Sequence, residues 1–532
     1  MYERLRDEAR WVLPEVLAYQ ARVRPNDTFV IWSATGETLT YAQAASDAEQ
    51  VAGMIAGTGL GHTETVAVML PNGLDFVRAW LGLMRLGATA VLLNPELRGS
   101  FLEHQLRNAG CRIVLTEAAL RERIAEVAAN VPKLTTVMLT DAVERSVGFQ
   151  QWRSATPYNG PMPLARDIAC VMYTSGTTGP AKGVLMPHAH CFLMGLGTID
   201  NLRVTADDRY YIVLPLFHAN GLLLQLGATL IAGASAVLRE RFSASAWLQD
   251  IRHFRATMTN MLGVVAAFVV ATPPSVSDRD HQLRVICNVP NTPEHDRIFR
   301  KRFGIEEVIG AFGMTEVNIP LYGEYGRPHA GTCGRVYDRY FEVEIRDPEN
   351  DQLLPRGTVG EIMVRPKAAF GFMAGYRDMP ERTVEAWRNL WFHTGDAGVM
   401  ADDGYVTYVD RIKDCIRRRG ENISSFEVEL AISQLQGVAE VAAYAVPSGI
   451  SGGEDEIMLA VVRAEGATLD PAIVATHADH VLPRFAQPRF IEIVDGLPKT
   501  PTAKVQKSVL RTCGITPATW DRANRSTLTD SP

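Results

Sequence analysis

Cysteine is scarce and unpatterned in this chain. Seven cysteines (Cys111, Cys170, Cys191, Cys287, Cys333, Cys415 and Cys513) are scattered over 532 residues, and none falls into C-x-x-C spacing. That odd, dispersed set excludes a disulfide framework and a cysteine-ligated zinc site, and it predicts a reducing, cytoplasmic setting. Positive charge is not in excess either. The 53 Lys+Arg face 60 Asp+Glu, a net charge of −7, so no nucleic-acid partner is expected. A long uninterrupted apolar run is also missing. The longest, residues 221–238, is broken by Gln225 and by further glycines and serines, and it reads as a buried helix–turn–strand rather than a membrane span. The first ten residues are charged and lack the apolar core of a signal segment, so no integral membrane contact is expected. Low-complexity segments and internal repeats are absent.

What is present is an ordinary globular balance, 47% apolar and 21% charged, in a chain too long for one hydrophobic core. Two or more domains are therefore expected. Over the first ~150 residues, short apolar runs alternate with helical patterns: 65–70 reads as a strand, 74–86 as a helix and 88–93 as the next strand. That rhythm predicts a parallel sheet covered by helices. The polar, proline-rich stretch 159–167 reads as a connector. A second α/β set follows, with 210–214 and 283–287 as strands. Between about 331 and 409 short strands such as 341–345 and 360–365 lie between turns, which predicts a small antiparallel barrel or sandwich. From 412 onward one more mixed unit is expected, ending in a polar tail at 526–532.

The segment Tyr173-Thr-Ser-Gly-Thr-Thr-Gly-Pro-Ala-Lys-Gly183 carries the most chemistry. Its three glycines allow close backbone approach to an anion and positive φ. The hydroxyls of Thr174, Ser175, Thr177 and Thr178 can donate to phosphate or face a metal, and Lys182 adds a fixed charge. A strand at 168–173 puts this loop at a strand end, where α/β proteins hold ligands. It is not a Walker loop, because Lys182 sits between Ala181 and Gly183 and not before Ser or Thr. The plain alternative is a Ser/Thr/Gly-rich surface turn.

Four further segments continue the nucleotide theme. Ala311-Phe-Gly-Met-Thr-Glu316 offers an aromatic face, a glycine for close approach and a carboxylate suited to Mg²⁺. Trp391-Phe-His-Thr-Gly-Asp396 ends in an acid able to accept from two ribose hydroxyls. Asp410-Arg-Ile-Lys-Asp414 leads, through Arg417, Arg418 and Arg419, into Gly420. Leu497-Pro-Lys-Thr-Pro-Thr-Ala-Lys504 sets one lysine on a proline-flanked loop. Taken singly, Glu316 also reads as a surface carboxylate, Asp396 as a turn residue, Arg411 as a solvated charge and Lys504 as a tail lysine.

In their order and spacing, these segments resemble the adenylate-forming superfamily of acyl-CoA synthetases, carrier-linked adenylation domains and beetle luciferases, from Thr38-Leu-Thr-Tyr41 to Arg511. The resemblance implies an α/β fold: a large N-terminal domain (1–411) of two parallel-sheet subdomains plus a small β-barrel, and a mobile α+β C-terminal domain (412–525). It implies ATP, Mg²⁺ and coenzyme A as cofactors and a small-molecule carboxylic acid as substrate; a homodimer is compatible with it. By likeness, the loop Thr174, Ser175, Gly176, Thr177, Thr178, Gly179 and Lys182 grips pyrophosphate. Ala311, Phe312, Gly313, Met314 and Thr315 frame the adenine, Asp396 and Arg411 hold the ribose, and Thr174 and Glu316 face Mg²⁺. Lys504 is the catalytic cation, Lys413 the hinge of a domain rotation, and Arg418, Arg419 and Gly420 lie on the CoA side.

The branch is read from Pro215-Leu-Phe-His-Ala-Asn-Gly221. His218 stands where amino-acid-activating members carry an aspartate for the substrate ammonium, which argues against an amino acid. The Phe-His pair resembles CoA ligases, where this position gates the acyl pocket and the pantetheine tunnel, which sets His218 beside Lys504 and Glu316 among the expected catalytic residues; a core histidine bonded to backbone is the alternative. His218, Asn220, Gly221, Met261, Leu262, Gly263 and Val317 are expected to line an uncharged acyl pocket, which suggests a bulky hydrophobic acid. Ala503 replaces a usual glycine, Val289 a small residue and Phe312 a usual tyrosine. These departures leave two alternatives to a complete acyl-CoA ligase: an enzyme that only passes preformed acyl-adenylate to CoA, or a silent nucleotide-binding protein.

Overall fold

The computed structural model describes residues 2–141, 148–174, 180–411, 415–418, 421–448, 455–498, 505 and 507–523. Two seven-stranded sheets carry most of it. In one, Thr65–Met69, Thr89–Leu92, Ile113–Thr116 and Thr136–Leu139 run parallel, and Thr89–Leu92 also pairs in parallel with Ile168–Thr174. The sheet ends antiparallel, through Lys182–Pro187 and Gly375–Tyr376. The helix Leu74–Leu86 lies between two of these strands and closes on Gly87 at φ 75°, a left-handed cap.

The second sheet runs parallel through Ser235–Leu238, Arg209–Ile212, Met258–Leu262, Val285–Val289 and Glu307–Ile309. Its far edge comes from the start of the chain: Thr28–Trp32 pairs in parallel with Ser235–Leu238, and Thr38–Thr40 turns back on it. Local pattern does not announce that pairing, which spans some two hundred residues. The run 221–238 forms the buried helical segments Asn220–Gly227 and Ala228–Ala232 and then the strand Ser235–Leu238. Among the described residues no helix is long and apolar enough to cross a membrane.

The main core draws on both sheets: Val66, Val68 and Ala90 from one, Val30, Tyr210 and Ala236 from the other, with Val51, Trp80 and Phe192 of the helices between them. A four-stranded antiparallel sheet, Phe341–Arg346, Val359–Pro366, Phe392–Met400 and Val406–Arg411, supplies the expected small β unit. The C-terminal part builds separate sheets, the hairpin Cys415–Arg418/Glu421–Ser424 and a four-stranded sheet from Val438–Pro447 to Trp520–Asp521. It packs on the helix Gly99–Ala109, where Arg98 Nη1 donates to the Asp479 carbonyl at 3.1 Å.

Candidate active site

The loop at 174–182 closes a hairpin. Ile168–Thr174 runs antiparallel to Lys182–Pro187, and Thr174 stands directly opposite Lys182. Ser175, Gly176, Thr177, Thr178 and Gly179 lie outside the described residues. At the loop's mouth, Thr174 Oγ1 and the Tyr376 hydroxyl both donate to Glu316 Oε1, each at 3.1 Å. Lys182 Nζ lies 4.2 Å from the centre of the Tyr376 ring, a cation–π contact. Two hydroxyls thus converge on one carboxylate, and a lysine packs on the ring of one of them.

Glu316 is 3% exposed, which removes the surface-carboxylate reading. Its two donors are neutral, and among the described residues no cation is hydrogen-bonded or ion-paired to it. A buried carboxylate without a counter-charge is costly. Oε1 takes both donors, which leaves Oε2 for another electrophile. A lone carboxylate with a hydroxyl beside it suits Mg²⁺, which keeps waters and binds through one or two carboxylates plus substrate phosphates. Among the described residues no cluster of three or more His, Cys, Asp or Glu exists that would form an all-protein cage.

Glu316 sits in the tight link between the antiparallel strands Ala311–Met314 and Asn318–Tyr322. A Cβ on Gly313 would lie 2.3 Å from the Asn318 carbonyl, so only glycine fits this pairing. His190 supports the link from below: its Nε2 is 2.8 Å from the Thr315 carbonyl and its Nδ1 3.0 Å from that of Gly371. Burial outweighs those two carbonyls and holds the imidazole pKa below its ordinary value. Ala311 and Phe312 are buried, with the Phe312 ring tilted against Tyr408 at 6.4 Å, whereas Gly313, Met314 and Thr315 are partly exposed.

Asp396 stands opposite Arg411 in the register of Phe392–Met400 against Val406–Arg411. It is 2% exposed, which removes the exposed-turn reading. Its approach is shaped by Glu361, whose Oε1 accepts from the Gly395 amide at 2.8 Å and whose Oε2 lies 3.0 Å from His393 Nδ1. Gly395 adopts φ 71°, the left-handed conformation glycine tolerates.

The residues expected to line an acid pocket collect at the carboxyl ends of the second sheet's parallel strands, the edge where such folds bind ligands. His218, Asn220 and Leu262 are partly exposed there. Gly221 packs against the strand end, since a Cβ would lie 2.5 Å from the Pro215 carbonyl. Gly263 opens the helix Gly263–Val270. Met261 differs from expectation. Strand alternation turns it to the other face, fully buried with Val265, Ile286 and Phe299, while its neighbour Asn260 faces Asn220. Val317 is likewise fully buried in the main core and lines no open wall.

On the C-terminal side, Lys413, Arg419, Gly420, Ala503 and Lys504 lie outside the described residues. Arg418 is corrected from the CoA side to a structural role. It is 7% exposed, pairs with Glu456 at 2.6 Å, and donates to the Phe485 and Gln487 carbonyls at 3.1 and 2.6 Å. A guanidinium so engaged is not available for a phosphate. Glu427 on the helix Ser425–Ser433 accepts from the Ala181 amide, and burial pushes its carboxyl up to about 7. The opposite side of Ala181 is held by His104, whose Nε2 lies 2.9 Å from its carbonyl.

Three residues with a part in the site carried no local signal. Tyr376, His190 and Glu361 belong to no motif, and each reaches its partner only through the fold. A buried histidine or glutamate flanked by apolar residues is the only hint that sequence offers.

Residues 17–377 match the AMP-binding enzyme family and residues 427–504 the AMP-binding enzyme C-terminal domain. Sulfoacetate–CoA ligase of Cupriavidus necator is 33% identical over 515 residues, 95% of this chain and 99% of that protein. Crotonobetaine/carnitine–CoA ligase of Salmonella heidelberg is 30% identical over 89% of this chain and 93% of its own length. ATP-bound MatB from Rhodopseudomonas palustris superposes with a TM-score of 0.69 at 27% identity, covering 94% of this chain and 98% of that one. The chain belongs to the AMP-binding enzyme family, in the acyl-CoA ligase branch of the adenylate-forming superfamily, and is an AMP-forming acid–thiol ligase that works with ATP, Mg²⁺ and coenzyme A.

Proposed function

We propose that this ligase activates a bulky, uncharged-bodied carboxylic acid as its acyl-adenylate and passes the acyl group to coenzyme A. The observation that carries the reading is Glu316, a buried carboxylate between the Thr174 and Tyr376 hydroxyls, with Lys182 over the Tyr376 ring; the accessible residues of the expected acid pocket, His218, Asn220 and Leu262, bring no carboxylate, lysine or arginine. The relatives named above act on unlike acids, so the acid is argued from this chain's own residues.

In the first half-reaction a carboxylate oxygen attacks the α-phosphorus of ATP and pyrophosphate leaves. Two anions must meet, so the barrier is largely electrostatic, and catalysis rests on cations and N–H donors aimed at the growing charge. Lys182 and the 174–182 loop would hold the departing phosphates, and Lys504 would bridge the acid and the α-phosphate. Thr174 and Glu316 would hold Mg²⁺, which supplies charge neutralisation at the phosphate oxygens when bound. Asp396 and Arg411 would take the ribose. In the second half-reaction the CoA thiol attacks the acyl carbonyl and AMP leaves. AMP is a good leaving group, so no general base is assigned. Lys413 would be the hinge that exchanges the Lys504 loop for the segment at Gly420 between the two steps.

Mass spectrometry of acyl-CoA and AMP across a panel of acids, with ATP and separately with synthetic acyl-adenylates, tests the reading. Bulky neutral acids should give the highest yields, and both routes should end in the same thioester. Best turnover of acetate or of a doubly charged acid would overturn the substrate assignment; product only from supplied acyl-adenylate would overturn the complete cycle.

A further inference from the structure

The acid half contains a polar relay that an apolar pocket does not need. The Tyr210 hydroxyl donates to Asn260 Oδ1 at 2.9 Å, and Asn260 Nδ2 donates to Asn220 Oδ1 at 2.8 Å. Gln225 Nε2 donates to the same Asn220 oxygen at 3.3 Å. Tyr210, Asn260 and Gln225 are all essentially inaccessible to solvent. Two N–H donors therefore converge on one oxygen and fix the orientation of the Asn220 amide. Flipping that amide would set N–H against N–H twice.

The far end of the relay is different. Asn220 is partly exposed, and its Nδ2 has no hydrogen-bond partner among the described residues. Upstream, Gln225 Oε1 is buried and unpaired, so the arrangement carries an orphaned acceptor for the sake of its donor. A network serving stability alone would close on a buried acceptor or be replaced by apolar residues. This one instead presents a rigid, neutral N–H₂ group at the carboxyl edge of the parallel sheet, between His218 and the end of the strand Met258–Leu262.

We propose that Asn220 Nδ2 is a specificity donor: the acid carries, besides its reacting carboxylate, a neutral acceptor oxygen on its body, such as a ketone or hydroxyl. Tyr210, Asn260 and Gln225 are positioning residues that aim it. The inference rests on the reading of 217–221 and 260–263 as the acid half of the cleft, and it narrows a hydrophobic acid to an oxygenated one. A site built around a fixed donor discriminates against an analogue that leaves the donor unpaired.

The test uses the full chain with cyclohexanecarboxylate and its 3-oxo and 4-oxo derivatives, reading acyl-CoA and AMP together. Wild type should favour at least one oxo acid in kcat/KM by about tenfold. Asn220→Leu should bring that ratio close to one. Asn220→Asp, which keeps the shape and guards against misfolding, should turn preference away from the ketone and toward the 4-hydroxy acid. Tyr210→Phe should lower the ratio by less, a loss of discrimination that a general weakening of the fold would not produce. Equal use of oxo and unsubstituted acids by wild type, or an oxo preference that survives Asn220→Leu, overturns the proposal while leaving the ligase reading in place. Absence of thioester from every acid, with AMP formation also absent, contradicts the underlying assignment of the acid half as well.

Discussion

The region proposed for the nucleotide and the region proposed for the acid pose opposite electrostatic problems. The region proposed for the nucleotide buries two carboxylates, Glu316 and Asp396, and the hydrogen-bond donors to Glu316 among the described residues are hydroxyls. The acid half places no charge on its accessible residues and turns an amide outward at the end of a fixed relay. On the proposed reading, the first region is completed by a cation and the second by an acceptor. On that reading, chemistry shared by every substrate fixes the first, whereas the particular acid fixes the second.

The largest effect should come from the nucleotide half. Lys504→Ala should lower acyl-adenylate formation by about 10²–10³, while thioester formation from supplied acyl-adenylate is spared. Equal loss in both would dissolve the division of labour. Next, Arg418→Met should destabilise the C-terminal part by about 2 kcal/mol, because it takes the close partner from half-buried Glu456, leaving it only Arg489 at 3.9 Å, and leaves the Phe485 and Gln487 carbonyls without their donor. Denaturant unfolding would show this, and the KM for CoA, measured below the transition, should stay within about twofold. A large selective rise in that KM would restore Arg418 to the CoA side. Tyr376→Phe removes one of two donors to Glu316 and should cost about 1 kcal/mol in Mg²⁺-dependent adenylation, a several-fold shift seen by titrating Mg²⁺.

The smallest effect is a pH slope. Burial lifts the Glu427 carboxyl from 4.5 to about 7. In the folded, docked state this group holds its proton better than in the unfolded state. Its contribution therefore favours folding at low pH, declines as pH rises through the window between those values, and is flat above it. Thermal midpoints of wild type should fall across that window relative to Glu427→Gln, which lacks the titration. Parallel profiles would show that the docking of Glu427 on Ala181 is not coupled to a proton.

The same contrast explains what was legible in the chain. Helix 74–86 and the buried run 221–238 could be read because periodicity and punctuation are local. Glu316 and Asp396 stood out because they end ordered runs of particular residue types, and both are buried in the fold. Three kinds of feature could not. The Thr28–Trp32 edge strand joins a sheet two hundred residues away, and nothing nearby marks it. Met261 and Asn260 are neighbours, and only the strand's orientation decides which one faces the cleft. Arg418 was expected on the CoA side, yet on the hairpin Cys415–Arg418/Glu421–Ser424 it pairs with Glu456. Tyr376, His190 and Glu361 act through contacts that sequence distance conceals.

The central claim is that Glu316 is the protein's cation-holding group in an acid-dependent adenylation. Acid-dependent ATP–pyrophosphate exchange, titrated with Mg²⁺ in wild type and in Glu316→Gln, tests it most directly. Exchange that saturates with Mg²⁺ in wild type, and that needs at least about tenfold more Mg²⁺ or falls about 10²-fold in the variant, is the predicted result. An unchanged Mg²⁺ dependence and rate in Glu316→Gln would contradict it.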